Sequence, residues 1–425
     1  MKNLDISIQN ISKIEGHAGL DIKVRNNKVQ KVHLKFTENK RFFTQAIRNR
    51  SIDTLPQSVA RICGTCSIAH IMCCIEAIEK ALKITPSPQT KLLRKLTMYG
   101  LMIRDHALHL YLFSLPDVFN KDSVLDFNDK EIKYLYDSFI VKKAGNLLST
   151  IVAGRAVHAP YPIVGGYTNI PNNKELKKLI PELKKARELI FDLLEIYYNA
   201  NIDYSRSTDF VALVSENFDF LEGNIVSSKG TSIKEDQYLH YLHKVVLPYS
   251  QSVGYKFEDE TYMVGALSRL NLNKNGLHKN TKRDAKKYLK VFPSNNVFHN
   301  NLAQAIEILH SIDHSIEIIE TNEFKPEEPV EVKPIESEGV GLIEAPRGTL
   351  FYRLKIDKNG IVKNGNIVVP TQQNQINIEL DIKNLVHKNL NKMSKQQLEY
   401  EIEKLIRSYD PCISCASHFL KVNWI

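Results

Sequence analysis

The chain opens on alternation. Across residues 5–36, apolar and polar positions trade places on both sides of Asn26-Asn27, in "LDIKVRNNKVQKVHLKF". That period of two, broken by a turn-forming dipeptide, predicts a strand pair. From about residue 55 to about 210 the spacing changes to three and four. "SIAHIMCCIEAIEKAL" predicts a helix with a wide apolar face. "TKLLRKLTMYGLMIRDHALHLYLF" predicts a second, opened by Pro86-Ser87-Pro88, and "KKLIPELKKARELIFDLLEIYYNANI" a third. Helical spacing returns at about 281–320. Residues 321–338 are rich in Glu and Pro and predict a linker or exposed loop. Residues 340–370 alternate again around the turn Asp357-Lys358-Asn359-Gly360. A last helix is expected at about 394–408. No internal repeat is visible. The expected fold is mainly α with small β-sheets near both termini, an α+β arrangement.

Composition narrows this picture little. The chain has 425 residues, 43% hydrophobic and 25% charged. That is ordinary globular composition, with enough apolar residues for a sizeable core. No apolar run approaches the roughly 20 residues that span a membrane. Met1 to Asn10 holds no apolar signal core, so a cytoplasmic protein is expected. Carriage across a membrane on a partner's signal would also be compatible. The net charge is +9. Lysines in 174–185 and 279–290 are interleaved with Glu, Asp, Asn and Leu, the signature of solvated helix faces. No nucleic-acid motif accompanies them, and no nucleic-acid partner is expected.

The cysteines change the picture more. There are six: Cys63, Cys66, Cys73, Cys74, Cys412 and Cys415. Four form two C-x-x-C pairs, a pattern that favours metal or redox chemistry over disulfides in a chain without an export signal. Each pair puts two sulfurs on one short turn, where both can reach one ion. Four thiolates select zinc, iron–sulfur, copper(I) or nickel over magnesium or calcium. By spacing alone, a structural zinc site is as good a reading as any. Zinc ribbons usually close short loops, however, and about 350 residues separate these pairs. If the pairs share one site, the two ends of the chain meet in the core. One integrated domain over 1–425 is then expected rather than a string of modules.

The flanking residues are more specific. "RICGTCSIAH" (Arg61 to His70) and "DPCISCASH" (Asp410 to His418) closely resemble the two signature motifs of nickel–iron hydrogenase large (alpha) subunits, in the same order and at opposite ends of the chain. "ISKIEGHAGL" resembles the N-terminal Arg-Ile-Glu-Gly-His element, with Lys13 where Arg is usual. "RDHALHLY", "GRAVHAPYPIVGG", "EAPRGTL" and "VVPTQQN" resemble further family segments. The short length and the "DPCISC" form are similar to the cytoplasmic, cofactor-coupled (bidirectional) branch.

The resemblance implies a role for each matching residue. Cys63 and Cys412 would be terminal nickel ligands, and Cys66 and Cys415 would bridge to an iron carrying carbon monoxide and cyanide. Hydrogen is a weak acid and a poor ligand, so its heterolysis needs a Lewis-acidic metal pair and a nearby base. Glu15, 48 residues before Cys63, would relay the proton; a lone Glu in such a region is otherwise solvated surface. Arg347 would lie over the open metal face, paired with Asp105 and Asp410. Outside the motif, Arg347 would pass as a surface salt-bridge residue and Asp410 as a turn cap. Thr371, after Pro370, would donate a hydrogen bond to a cyanide. His70 would hydrogen-bond a cysteine sulfur, where the ordinary reading is a core histidine. Cys73 and Cys74 match no family role and read as small buried residues.

Two features depart from the family pattern. An Arg-Gly-Phe-Glu element often supplies a carboxylate to a separate magnesium or iron near the C-terminal histidine. Here Arg41-Phe42-Phe43-Thr44 puts a hydroxyl in its place, although His418 is kept. A hydroxyl anchors magnesium poorly, so that site is not expected in its usual form. Residues 419–425 are compatible both with a tail of the kind a maturation protease removes and with a segment that stays in place.

The function implied is that of the catalytic large subunit of a nickel–iron hydrogenase, cleaving H2 reversibly to protons and electrons. No further cysteine set could hold a relay cluster, so an iron–sulfur small subunit is implied as partner. Flavin, nicotinamide or deazaflavin chemistry would sit in further electron-transfer subunits, since no dinucleotide fingerprint is present. Three other readings compete. A hydrogen sensor would keep the same motifs. A complex I-like scaffold would have lost the cysteines, and all four are here. A structural zinc protein would differ in its metal.

Overall fold

The computed structural model describes residues 2–38 and 42–417. His418 and the tail at 419–425 lie outside the described residues, as does Arg41. The alternating N-terminal segment forms three antiparallel strands rather than two: β1 (Leu4–Ile8), β2 (Ala18–Arg25) and β3 (Lys28–Phe36). Asn26 and Asn27 both take positive φ, 50° and 61°. This is the backbone that a tight hairpin between right-twisted strands requires. The extra strand, β1, pairs with β2 across a loop at 9–17 that carries Glu15.

Four long helices follow. They are α1 (Ser67–Leu82), α2 (Pro88–Leu108), α3 (Ile132–Ala153) and α4 (Asn173–Asn199). The sequence marks α2 well: the Ser87 hydroxyl accepts from the Thr90 amide at 3.0 Å, and Pro88 opens the first turn. One turn of π-helix, His109–Ser114, extends α2. Such turns often mark functional positions.

Helix α1 is buried on nearly every side. It lies flush against the C-terminal sheet because Gly341 and Gly339 remove side chains at the contact. A Cβ on Gly341 would stand 2.2 Å from the Cys73 carbonyl oxygen, and one on Gly339 2.2 Å from that of Ala77.

A third sheet region occupies 209–263, where the alternation gave no signal. Its four-stranded sheet runs in the order Tyr262–Met263, Asp209–Val214, Asn224–Ser227, Ser232–Ile233, beside a hairpin of Leu242–Val246 with Val253–Phe257. The reason is physical. Asp209–Val214 is buried along almost its whole length, so it reads as a continuous apolar run, and other strands have only two residues. The helical stretch expected at 281–320 is interrupted. Lys279–Asp284 and a 3₁₀ turn at Tyr288–Val291 precede α5 (His299–Thr321), with Pro293 in the gap.

Residues 322–336 have no regular structure, as the Glu/Pro composition indicates. An antiparallel sheet of β4 (Ser337–Ala345), β5 (Gly348–Ile356) and β6 (Val362–Val368) comes next. Then come α6 (Pro370–Asn389) and α7 (Lys395–Ser408), the latter capped by Ser394 and Gln397. A single turn, Ile413–Ala416, closes the described chain. The architecture is mainly helical with small sheets. Among the described residues, no helix is long and apolar enough to cross a membrane.

Candidate metal centre

The two cysteine pairs arrive from opposite ends of the chain. Cys63 ends a 3₁₀ turn in extended backbone, and Cys66 sits just before α1. Cys412 is extended and Cys415 lies on the final helical turn. Their four sulfurs lie within 4.8 Å of one another, all buried. Cys63 and Cys412 sulfurs are 3.4 Å apart, Cys66 and Cys415 3.2 Å, and Cys412 and Cys415 3.0 Å. A disulfide needs about 2.05 Å, so these are four free thiols converging on one point. Burial lifts the thiols of Cys412 and Cys415 well above the ordinary range, while hydrogen bonds from Cys412, Cys415 and Cys66 hold Cys63 well below it. Packing four such groups into an apolar interior is costly unless a soft cation takes them as thiolates. The donor set fits a thiolate-bound metal centre.

Glu15 closes one side. Its backbone forms a parallel bridge with Cys412, and the Ile413 amide donates to its carbonyl at 2.9 Å. The carboxylate Oε2 lies 3.0 Å from the Cys412 sulfur and accepts from the Ser414 amide at 3.1 Å. Oε1 is 3.9 Å from the Cys63 sulfur. Burial raises the Glu15 pKa and the Cys63 charge adds to this; the donors on Cys412 and Ser414 oppose them. The following glycine allows the approach. Gly16 has φ +86°, and a Cβ there would stand 2.9 Å from the Ile413 Cβ.

Arg347 closes another side, from the turn between β4 and β5. Its Nη1 donates to Asp105 Oδ2 at 3.0 Å, and its Nη2 to Asp105 Oδ1 at 3.3 Å and Asp410 Oδ1 at 3.1 Å. Burial pulls its pKa down, but the two carboxylates and the charges of Cys412 and Cys66 outweigh that and hold it well above normal. The guanidinium therefore stays charged, bracketed by two buried carboxylates. Asp410 itself takes φ 52°, an unfavourable backbone for a residue with a Cβ, and Gln304 Nε2 donates to its other oxygen at 3.0 Å.

His70 lies one helical turn after Cys66. Its Nε2 is 3.5 Å from the Cys415 sulfur, and its Nδ1 is 2.7 Å from the Tyr352 hydroxyl. Burial pushes its pKa down to about 4, so the ring is neutral. Burial pushes the Tyr352 pKa well up, so the hydroxyl that shares a hydrogen bond with Nδ1 stays protonated. Thr371, behind Pro370 at the start of α6, accepts from the Cys412 amide at 2.9 Å, which leaves its hydroxyl proton free to donate.

Thr44 sits half-buried in the short helical turn Phe43–Ala46. Cys73 and Cys74 are fully buried away from the four-sulfur cluster, Cys73 with its sulfur 3.3 Å from the Gly341 carbonyl oxygen.

Several contributors were not singled out by the sequence. Arg104 donates to the Thr65 carbonyl at 2.8 Å, and His109 holds Gln304 at 2.6 Å. Both belong to a segment whose family likeness was visible. Behind them lies a buried ionic set, in which Arg269 bonds Glu307 at 2.6 and 2.7 Å and Glu344 at 2.6 Å, and Glu307 bonds His106 at 2.8 Å. Gln304, Arg269, Glu307 and Tyr352 carry no local signal; only three-dimensional proximity marks them.

The family model described as nickel-dependent hydrogenase matches residues 41–146 and 238–418. The chain is 30% identical over 433 residues to the alpha subunit of sulfhydrogenase 1 of Pyrococcus furiosus, covering 99% of this chain and 100% of that one. It is 28% identical to a chain of the vhc F420-non-reducing hydrogenase of Methanococcus voltae, covering 97% and 94%. Among solved structures, an NAD+-reducing [NiFe]-hydrogenase in the H2-reduced state shares the fold at TM-score 0.85 and 21% identity, over 98% of this chain and 99% of that one. The Ni-Fe-Se hydrogenase of Desulfovibrio vulgaris Hildenborough does so at TM-score 0.79 and 18% identity, over 98% and 100%.

Proposed function

The chain belongs to the nickel-dependent hydrogenase family as a large catalytic subunit with a nickel–iron centre, and from that premise we propose that it cleaves H2 reversibly into protons and electrons at the four-cysteine site and passes the electrons to an iron–sulfur small subunit. The observation that carries this reading is the convergence of four buried sulfurs, two from each end of the chain, within 4.8 Å. A carboxylate and a paired guanidinium stand beside them.

In this reading Cys63 and Cys412 would hold the nickel, and Cys66 and Cys415 would hold the nickel and the iron together, the iron being the one that would carry carbon monoxide and cyanide. When bound, the metal pair supplies the Lewis acidity and the electron acceptance that heterolysis of hydrogen requires. The chain's own residues manage the proton. The Cys412 sulfur is the first base, and Glu15 Oε2, at 3.0 Å, takes the proton onward. A raised Glu15 pKa suits that step, because a carboxylate with a higher proton affinity exchanges protons more evenly with a thiol. Arg347 keeps a fixed positive charge over the site, immobilised by Asp105 and Asp410. His70 donates toward the Cys415 sulfur, and Thr371 keeps its hydroxyl proton for a cyanide.

The small-subunit partner is supported by the Pyrococcus furiosus relatives, which are named as alpha subunits and so imply companions. Further flavin-, nicotinamide- or deazaflavin-binding subunits are part of the same proposal, supported by likeness in fold to an NAD+-reducing enzyme. So are a cytoplasmic location and a single integrated unit over 1–425, the latter supported by Glu15 pairing with Cys412.

The test is a preparation made anaerobically with its natural partners. Nickel and iron near one-to-one in this subunit, with infrared bands in the carbonyl and cyanide region, is the expected result. Cys412→Ser or Cys415→Ser abolishes both. Zinc in the site of fully matured protein, without those bands, overturns the reading.

A further inference from the structure

Among the described residues, three of the four sulfurs have a polar partner that is not a cysteine. Cys412 has Glu15 at 3.0 Å, Cys415 has His70 at 3.5 Å, and Cys63 has the Thr65 hydroxyl at 3.1 Å. The third of these has no role in the proton path or in holding the metal. Thr65 is one of the two residues between the first cysteine pair. It is half-buried, and its backbone is fixed from behind, where buried Arg104 donates to its carbonyl at 2.8 Å. The loop backbone is thus restrained where it brings the hydroxyl to 3.1 Å from the sulfur.

We propose that the Thr65 hydroxyl donates a hydrogen bond to the Cys63 sulfur and so tunes the electron richness of the nickel side of the centre, as a positioning residue that acts through Cys63. The direction of donation follows from ligation. A metal-bound cysteine sulfur has lost its proton and can only accept, and the hydroxyl is the group with a proton to give. A hydrogen bond to a ligating thiolate withdraws charge from it, weakens its donation to the metal and raises the potential of the centre. A valine would keep the shape of the side chain and lose the donor. The inference rests on the assignment of Cys63 as a nickel ligand.

The test compares Thr65→Val and Thr65→Ser with the parent holoenzyme, purified anaerobically with its partners. The readouts are metal content, the carbonyl and cyanide infrared bands, and the midpoint potential of the nickel signal. With Thr65→Val the bands move to lower wavenumber and the midpoint becomes more negative. With Thr65→Ser, which keeps the hydroxyl, both stay at parent values. Unchanged bands and potential in Thr65→Val overturn the proposal, as does a Thr65→Ser shift as large as that of valine. Thr65→Ala carries the same comparison if the valine variant takes up no nickel. A parent protein without nickel or bands instead removes the metal-centre assignment on which the inference stands.

Discussion

Glu15 and Cys412 are 397 positions apart in the chain, yet carboxylate and sulfur lie 3.0 Å from each other and their backbones pair as neighbouring strands do. The contact is made twice over, by side chain and by main chain, so the N-terminal loop and the C-terminal cysteine segment are positioned as one piece. Glu15→Gln keeps the shape and the main-chain pairing but removes the base. Nickel and iron content and the infrared bands are expected to stay as in the parent. Hydrogen–deuterium exchange against solvent is expected to fall by about 10²–10⁴-fold, the range for loss of a positioned acid–base group. Exchange at the parent rate would remove Glu15 from the proton path.

Arg347 leads to a different expectation. Its fork spans Asp105 and Asp410, and all three are buried. Removing the arginine leaves two buried carboxylates with less compensation, a loss of about 3–5 kcal/mol for a broken buried pair. Arg347→Met is therefore expected to lower the thermal midpoint clearly as well as turnover. Arg347→Lys keeps the charge and loses the fork. It is expected to retain most of the stability and still lose turnover. Thermal melting with hydrogen-uptake assays on both variants separates the two contributions, and equal turnover in the Arg347→Lys variant and the parent would show that charge alone suffices.

Much of this was legible in the sequence, and what was not has a physical cause. The helix Ser67–Leu82 coincides with its 16-residue apolar pattern, and Ser394 with Gln397 marks the start of Lys395–Ser408. The cysteine pairs, Glu15, Arg347 and Thr371 could be singled out because each lies in a short motif. The sheets at 209–263 could not, because Asp209–Val214 is apolar without alternation and its partners are very short. Nor could Gln304 or Tyr352, whose importance comes from what packs against them: Asp410 for the one, His70 for the other. Lys13, which stands where the family pattern has arginine, bonds Asp117 at 2.7 Å, and Asp117 also takes Arg407 at 2.6 Å.

Stability should depend on pH through Glu379, outside the metal centre. This carboxylate accepts from the Leu34 amide and the Tyr249 hydroxyl, each at 2.8 Å. Burial lifts its pKa from 4.5 to about 7, against those two hydrogen bonds. The folded chain thus holds this proton more tightly than the unfolded chain. The stabilisation is fully present below pH about 4.5 and is lost as pH rises through about 7. Glu379→Gln, which stays neutral, is expected to be more stable than the parent at pH 8 by about 1–3 kcal/mol, with little difference at pH 5. Denaturation midpoints of both proteins at the two pH values check this; a constant difference between them would exclude Glu379 as the titrating group.

Removing the metal should loosen the two ends of the chain before the rest. The segment at 410–417 reaches the core through Cys412 and Cys415, through the Glu15 pairing and through the Thr371 contact to the Cys412 amide. Without a cation, four crowded thiols must take up protons in an apolar interior, and Asp410 is already held at an unfavourable positive φ. The long helices depend little on this, because Ser67–Leu82 packs on the C-terminal sheet and Pro88–Leu108 packs on Ile132–Ala153. Chelation of the matured protein is therefore expected to raise hydrogen exchange first at 410–417 and at the facing loop, 11–17. Helix Ser67–Leu82 should keep its protection beyond its first turn. Exchange that rises uniformly along the chain would instead mean that the metal stabilises the whole fold, and that the ends are not a separable unit.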